Sequence, residues 1–172
     1  MSNTVILYLL MGLPGAGKTT AAKIIEELTG ATRLSSDEQR LKLWPLPTFT
    51  EAEHAALYDH LNKETERLIS VGTSVIYDAN LNRLAHRKEK YDLAKKYNVP
   101  VVLVWVQAPH SIARQRRIEV SEHHALVPQQ EDPASMFDRI AGILEEPTSD
   151  EECIVLDGTK ISTGYVSETL GL

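Results

Sequence analysis

The stretch from Gly12 to Thr20 has the residue types and spacing of a phosphate-binding loop. It reads GLPGAGKTT and fits the pattern G-x-x-x-x-G-K-[ST]. Its glycines let the chain turn tightly and bring backbone N–H groups close to phosphate oxygens. Lys18 supplies a mobile positive charge for the β- and γ-phosphates, and the Thr19 hydroxyl can ligate Mg²⁺. The predicted nucleotide contacts are Gly12, Pro14, Gly15, Ala16, Gly17, Lys18, Thr19 and Thr20.

The flanking sequence decides between this loop and an ordinary glycine-rich turn. Residues 4–11 form an apolar run typical of a buried strand, and residues 21–28 form a helix that ends before Gly30. The N-terminus of that helix, with unpaired N–H groups and a partial positive charge, would point at the bound anion. The strand–loop–helix setting therefore favours nucleotide binding.

Asp37 and Arg40 follow a short predicted strand, at the edge of the sheet where α/β proteins gather ligands. The spacing Asp-x-x-Arg places both side chains on one helical face. The carboxylate could accept a proton from an acceptor hydroxyl, while the arginine binds a polar or anionic part of that acceptor. Alternatively, Asp37 is an acid that the helix dipole favours at a helix start, paired locally with Arg40. The sequence leaves both interpretations open.

Asp78 ends another apolar strand, as the acidic residue of a Walker B element does, and Asn80 follows it. Asp78 could hold Mg²⁺ through water or contact the substrate. Asn80 would project in the same direction if the extended conformation continues. The alternative is a simple turn, for which Asp and Asn are common. The strand-end position favours function.

Arg114, Arg116 and Arg117 crowd a short helix predicted from residue 111 to about 119. Phosphoryl transfer needs positive charge on the migrating group, often supplied by a segment that closes over it. At helical spacing the three arginines cannot all face one point. Arg114 and Arg117 form a natural pair, and Arg116 is the alternative. We predict a lid at about residues 110–131, including a polar loop at 121–130, in which His123 and His124 have no metal role.

The elements that position these residues are five strands separated by helices. Two further strands are predicted at residues 100–106 and 153–156, and a terminal helix at 162–170. Ser36, Thr50 with Glu53, and Asn82 are predicted helix caps. The helix after Asn82 carries a basic face, predicted to be mostly solvated: Arg83, Arg87, Lys88, Lys90, Lys95 and Lys96. Arg87 could equally well support the loop at 78–80, toward which its side of the helix faces. The alternation implies right-handed crossovers and a parallel sheet covered on both faces, in one α/β domain spanning 1–172.

Composition limits the classes of protein and partner. The chain has 172 residues, a net charge of −6 and a single cysteine, Cys153. The negative charge makes duplex nucleic acid an unlikely partner, although a short oligonucleotide could still reach a basic cleft. One cysteine excludes an internal disulfide framework. No apolar run is long enough to cross a membrane. We therefore expect a cytoplasmic protein; its oligomeric state cannot be deduced.

With these residues, the chain resembles the P-loop kinase family that includes the 5′-kinase domain of phage polynucleotide kinase, the zeta toxins and chloramphenicol phosphotransferase. Small members of this family are often labelled AAA-family ATPases. The resemblance runs nearly end to end. It depends on the loop at 12–19, SDEQR at 36–40, VIYDAN at 75–80 with Arg87, VWVQAP at 104–109 before the arginine helix, and EEP at 145–147.

The resemblance implies a three-layer P-loop NTPase fold with a five-stranded parallel sheet, similar to nucleoside-monophosphate kinases, and a lid. It also implies roles: Asp37 matches the general base, and Arg40 the residue that contacts the acceptor. Asp78 matches an aspartate of the acceptor or metal site. The lid arginines match within 114–117, but position 120, where the family's spacing would place an arginine, is Val120.

The leading interpretation is a kinase that moves the γ-phosphoryl group of Mg-ATP to a hydroxyl of a small molecule or short nucleic acid. One alternative is a nucleotide-dependent switch or binding module, which hydrolyses slowly and signals through a partner. The candidate base at Asp37 favours the kinase, because a switch would need a water-positioning residue. A toxin-like kinase that acts on a cellular metabolite is a third possibility. The determinants of the acceptor are expected in residues 41–60 and 121–130.

Overall fold

Five parallel strands form the centre of the protein. The structure, a computed structural model, describes residues 4–123 and 131–172. The strands are β1 (Leu7–Met11), β2 (Thr32–Ser35), β3 (Val75–Asp78), β4 (Val101–Gln107) and β5 (Cys153–Asp157). Their order in the sheet is β2-β3-β1-β4-β5, and all four neighbouring pairs are parallel. The predicted five-stranded parallel sheet is therefore confirmed, with the loop-bearing strand β1 at its centre.

The described residues form seven helices, six between the strands and one after the last strand. They are α1 (Lys18–Thr29), α2 (Ser36–Leu43), α3 (Glu51–Ser70), α4 (Leu84–Lys96), α5 (His110–His123), α6 (Pro133–Gly142) and α7 (Thr163–Leu170). Helix α5 is longer than the helix predicted at 111–119. Residues 124–130 of the predicted lid loop lie outside the described residues. Of the helices described, none is both long and apolar enough to cross a membrane.

The side chains of β1 supply the core on both faces of the sheet. Leu7, Leu9 and Met11 pack on one face with residues of α3 and α4, such as Leu61. Tyr8 and Leu10 pack on the other face with α1 and α7. Successive side chains of a strand alternate between faces, so a strand covered by helices on both sides must be apolar at every position. This explains the unbroken apolar run before the loop and gives the three-layer α/β fold.

The start of α2 and that of α3 each differ in one respect from the prediction. Helix α2 is capped by Ser35, whose hydroxyl accepts the Glu38 N–H, and not by Ser36. Thr50 caps α3 as predicted and accepts the Glu53 N–H. The Glu53 carboxylate, however, does not complete a capping box with Thr50. It accepts hydrogen bonds from the backbone and hydroxyl of Thr48 and pairs with Arg40. The Glu53 carboxylate thus pairs with Arg40 of α2 and not with the N–H of Thr50 at the start of its own helix.

The predicted solvated face of α4 was wrong at Lys90, and at Arg87 the structure shows a buried position. Both side chains are fully buried. Arg87 pairs with Glu151, with an Nε–Oε1 distance of 2.7 Å, and donates to the Leu81 carbonyl at 3.0 Å. The Lys90 ammonium lies 5.0 Å from the centroid of the Tyr77 ring and pairs with its neighbour Glu89. Charge runs are normally solvated, but Glu151, distant in the chain, allows Arg87 to be buried. Arg87 therefore ties α4 and the turn after β3 to the segment before β5.

The buried pair makes a stability prediction. Burial alone would raise the pKa of Glu151, but hydrogen bonds from Arg87, Thr148 and Tyr91 outweigh it and lower the pKa to about 2. Glu151→Gln should cost about 3–5 kcal/mol at neutral pH, because it leaves Arg87 without its carboxylate. A carboxyl group whose pKa is lowered by folding stabilises the protein above its unfolded-state pKa. The greater stability of the parent over the variant should therefore disappear as the pH falls from 4.5 toward 2. Urea denaturation of both proteins across this pH range measures the difference.

Glu64→Gln is the matched control for this prediction. Its partner Arg67 is mostly exposed on α3, so the same charge change should cost less than about 1 kcal/mol. Equal losses in the two variants would contradict a structural role for the Arg87–Glu151 pair.

Candidate functional site

The phosphate-binding loop connects β1 to α1 and packs against two neighbouring segments. A Cβ at Gly15 would overlap the carbonyl oxygen of Ala113 in α5, and one at Gly158, after β5, would overlap that of Ala16. Gly15 also has a φ of 77°, which side-chain-bearing residues rarely adopt. Helix α1 begins at Lys18 after Gly17, which has no side chain to cap it. The loop is thus held by close backbone packing and presents helical N–H groups to a ligand.

The predicted nucleotide contacts all lie in this loop or the first turn of α1. Thr19 and Thr20 are exposed there, and Ala16 is buried. The Lys18 ammonium donates to the carbonyls of Gly12 and Leu13, each at 2.9 Å. Loss of hydration lowers the pKa of Lys18 to about 8, although the Asp78 and Asp37 carboxylates oppose this shift. Lys18 is therefore still mainly protonated at neutral pH, as a phosphate-binding lysine must be.

Asn82 braces the start of the loop. Its Oδ1 accepts the Gly12 N–H at 2.9 Å, and its Nδ2 donates to the Gly12 carbonyl at 3.0 Å. Its own backbone is fixed by the Asn80 side chain and by the Glu145 N–H. The prediction that Asn82 caps α4 was wrong: Arg83 occupies that position, with no side-chain cap. The buried amide instead extends the hydrogen bonding of the sheet beyond the end of β1.

Asp78 lies at the carboxyl end of β3, next to β1 in the sheet. It is buried, and Arg33 from β2 donates to its Oδ2 at 2.9 Å. Burial raises the pKa of Asp78, while Arg33 and Lys18 oppose this shift. Arg33 also pairs with Glu38 of α2. The predicted strand-end position of Asp78 is thus observed, with an arginine partner that sequence analysis missed.

Asp37 stands exposed in the first turn of α2, on the same side of the sheet. Ser35, two residues before Asp37, lies opposite Asp78 in the sheet. The Asp37 carboxylate acts electrostatically on both Lys18 and Asp78, so the three charges lie near one another. Arg40 does not pair with it locally. The Arg40 guanidinium pairs with Glu53 and lies 4.8 Å from the centroid of the Phe49 ring. The structure therefore places Asp37 by the phosphate-binding lysine and holds Arg40 in a neighbouring ion pair.

The predicted acceptor residue Asn80 is half-buried just after β3. Its N–H donates to the Tyr58 hydroxyl at 3.2 Å, and its Oδ1 accepts the Asn82 N–H at 3.1 Å. Its side chain thus forms an Asx turn that supports Asn82. Asn80 therefore connects the loop-bracing residue to helix α3.

The three arginines of α5 lie in different surroundings. Arg114 pairs with Asp138 of α6, with an Nε–Oδ1 distance of 3.2 Å. Arg116 donates to the Gly158 carbonyl at 3.0 Å. The Arg117 backbone lies beside Gly15, its charge contributes to lowering the pKa of Lys18, and its guanidinium also contacts Met136 Sδ at 3.9 Å. The three side chains do not meet at one point, in agreement with their helical spacing, and Arg117 is the one whose charge acts on the phosphate-binding lysine.

Asn82, Arg33 and Gly158 are the site residues that sequence reasoning missed. Asn82 lies in the polar run DANLN after β3, which indicates a turn but does not identify Gly12 as its partner. Arg33 is a lone arginine in the short strand β2, and the sequence gives no sign that Asp78 lies opposite Ser35, two residues further along that strand. Both contacts join segments that are far apart in the chain, so local patterns do not reveal them.

The Asn82 brace can be separated from general stability. Asn82→Leu removes both hydrogen bonds to Gly12, and buried unsatisfied groups cost about 1–3 kcal/mol. Affinity for a non-hydrolysable Mg-nucleotide should fall by about tenfold, because each 1.4 kcal/mol is a factor of ten. Calorimetry measures the affinity. Thr65→Val is the control, since it removes another buried hydrogen bond, to the Leu61 carbonyl. Parental affinity in Asn82→Leu would show that the loop does not need this brace.

Comparison with known proteins places the chain in a family. A family model described as an AAA domain matches residues 7–147. No curated protein matches the chain in sequence. A sugar kinase from a Janibacter species has a similar structure, with a TM-score of 0.66, 21% identity, and coverage of 98% of this chain and 94% of that chain. A gluconokinase from Sinorhizobium meliloti gives a TM-score of 0.67 at 16% identity, over 99% of this chain and 91% of that one.

A chain of the Pnkp1/Rnl/Hen1 RNA repair complex gives a TM-score of 0.70 at 19% identity, covering 84% of this chain and 45% of that chain. At these identities the structural likeness shows a shared fold and does not indicate a substrate. The resemblance to P-loop kinases is confirmed, and the family match covers most of the sequence. The chain belongs to the AAA domain family.

Proposed function

We propose that the protein is a kinase that transfers the γ-phosphoryl group of Mg-ATP to a hydroxyl of an acceptor molecule. The observation that carries this proposal is the proximity of Lys18, Asp37 and Asp78 beyond the carboxyl ends of the neighbouring strands β1, β2 and β3. It combines a phosphate-binding lysine with an exposed carboxylate just outside the loop. A binding module needs the lysine alone, whereas transfer to a hydroxyl also needs a group that accepts the hydroxyl proton.

The donor side of the cleft fits a nucleotide triphosphate. The loop is packed so closely that no Cβ is tolerated at Gly15, and a glycine backbone lets phosphate oxygens approach its N–H group without a side chain in the way. Lys18 lies within the loop as a protonated donor. The Thr19 hydroxyl and the Asp78 carboxylate are the groups that would hold Mg²⁺, which neutralises phosphate charge. Since Arg33 already occupies Asp78 Oδ2, the other oxygen is the one available to a metal-bound water.

On the acceptor side, Asp37 is the general base. Its carboxylate takes the proton of the acceptor hydroxyl as the hydroxyl oxygen bonds to the γ-phosphorus, and the bond to the leaving ADP oxygen breaks. The first turn of α2 holds Asp37, and Ser35 caps that turn. Arg40 is fixed by Glu53, so it orients the acceptor as a pre-placed donor. Asn80 fixes the turn between these groups and the loop.

Helix α5 supplies the positive charge for the migrating phosphoryl group. The helix backbone packs directly on Gly15, and Arg117 lies near Lys18. These contacts support Arg117 over Arg114, whose charge is paired with Asp138 of α6. Arg116, bonded to the Gly158 carbonyl, fixes α5 to the turn after β5. A lid formed by α5 and the following residues would complete the site when nucleotide binds.

The role of Asp37 separates the kinase from a protein that only binds nucleotide. Asp37→Asn should leave Mg-ATP affinity near the parental value and lower the transfer rate by roughly 10²–10⁴-fold, the usual contribution of a general base. A coupled assay of ADP release in the presence of acceptor measures transfer, and calorimetry measures affinity.

Glu51→Gln provides the control, because Glu51 is an exposed acid in the first turn of α3, as Asp37 is in α2. Its substitution removes a helix-start charge without touching the cleft and should leave transfer unchanged. If Asp37→Asn transfers at the rate of Glu51→Gln, Asp37 serves only the helix dipole and the proposed base is wrong.

A further inference from the structure

A groove between α3 and α4 opens beside the reaction centre. It has a volume of about 350 Å³ and is lined by His54, Tyr58, Asp59, Asn62, His86 and Glu89. This volume is at the lower end of the range for small-molecule sites. The rings of His54 and Tyr58 are 4.6 Å apart, and those of Tyr58 and His86 are 6.3 Å apart, so the three rings form a continuous wall.

The groove connects directly to the residues proposed to bind and activate the acceptor. The Tyr58 hydroxyl accepts the Asn80 N–H at 3.2 Å. Burial raises the pKa of Tyr58, and the Asp37 carboxylate raises it further, which places Tyr58 near the proposed base. His54 Nδ1 lies 3.3 Å from Arg40 Nη2. A molecule in the groove could therefore extend a hydroxyl toward Asp37.

The groove offers polar groups that suit hydroxyls. His86 Nδ1 is buried and has no hydrogen-bond partner within the described part of the chain. A buried unpaired nitrogen costs free energy, so a ligand hydroxyl that pairs with it is favoured. The exposed Glu89 carboxylate, positioned by Asn62 Nδ2 at 2.9 Å, is an acceptor for further hydroxyls. Imidazole, amide and carboxylate groups beside aromatic rings are a combination that binds polyhydroxylated molecules.

The groove offers an anion no unpaired cation among the described residues that line it. None of these residues is Lys or Arg, and the lining carboxylates of Asp59 and Glu89 pair with Lys63 and Lys90. The nearby Arg40 is paired with Glu53. Partial loss of hydration, with Arg40 and His86 nearby, lowers the pKa of His54, which disfavours a cation at this ring as well. Nucleic acid is instead bound through cations that neutralise its phosphates.

We propose that this α3–α4 groove binds the body of the acceptor, and that the acceptor is a polyhydroxylated small molecule without negative charge. The proposal rests on the kinase function stated above and defines its substrate class. Of the acceptors that a P-loop kinase could take, it selects a neutral polyol over a phosphorylated metabolite or the 5′-hydroxyl end of a nucleic acid.

Binding can be tested separately from transfer. Saturation-transfer NMR on the full chain with a non-hydrolysable Mg-nucleotide would compare hexoses and cyclitols with sugar acids, hexose phosphates and a short 5′-hydroxyl oligonucleotide. A neutral member should bind best. Its affinity should fall by about tenfold in His86→Phe, which keeps the ring but removes the unpaired nitrogen. Asp59→Asn, which removes a lining carboxylate whose ion pair is with the exposed Lys63, should also weaken it. Glu27→Gln, an equal charge change on the exposed side of α1, should not.

The proposal is overturned if no neutral member binds, if a sugar acid, phosphate or oligonucleotide binds best, or if both groove variants bind like the parent. Since Asp59 and its partner Lys63 are both exposed, the Asp59 variant gives a result even where His86→Phe does not fold. ADP release with the best ligand reports on the kinase function itself. If a neutral polyol binds in the groove but no ADP is released, the proposed binding site is supported and the proposed kinase function is contradicted.

Discussion

The pairing of the Asn82 amide with the Gly12 backbone is the interaction on which the site depends. Strand β1 ends at Met11, so Gly12 has no sheet partner to fix where the phosphate-binding loop begins. Asn82 supplies both missing hydrogen bonds. It comes from the turn after β3, which lies next to β1 in the sheet. Since Asn80 and Asp78 belong to that same turn, the donor loop and the acceptor side of the cleft are held in one frame.

Charge pairing decides which groups in the cleft remain available. Arg33, Arg40 and Arg87 are each paired with a carboxylate, from Asp78, Glu53 and Glu151. These ion pairs are buried or nearly so, and they fix geometry more than they add stability. Asp37 stands apart from them as an exposed carboxylate that acts on Lys18 and Asp78. The same distribution leaves the α3–α4 groove with acidic and neutral groups, whereas the arginines of α5 lie on the nucleotide side.

The sequence predicted what local patterns determine. The loop motif, the strand run before it and the alternation of strands and helices gave the fold, because burial on both faces of a parallel sheet leaves continuous apolar runs. Failures occurred where a side chain had a choice of partners. Ser35 caps α2 in place of Ser36, Asn82 binds Gly12 instead of capping α4, and Lys90 is buried over Tyr77. The positions of Asn82 and Lys90 depend on residues distant in the chain, which periodicity and spacing do not encode. The cap of α2 differs by one residue, because two adjacent serines can both serve.

The account's central claim is transfer of a phosphoryl group rather than binding or hydrolysis of a nucleotide. Phosphorus NMR of the full chain with Mg-ATP and a mixture of neutral polyols tests it most directly, because it separates phosphate esters from inorganic phosphate. The account predicts a new phosphomonoester signal that grows in equal amount with ADP and needs the polyols. Growth of inorganic phosphate and ADP alone, at a rate that the polyols do not change, would contradict it and indicate a nucleotide-hydrolysing switch.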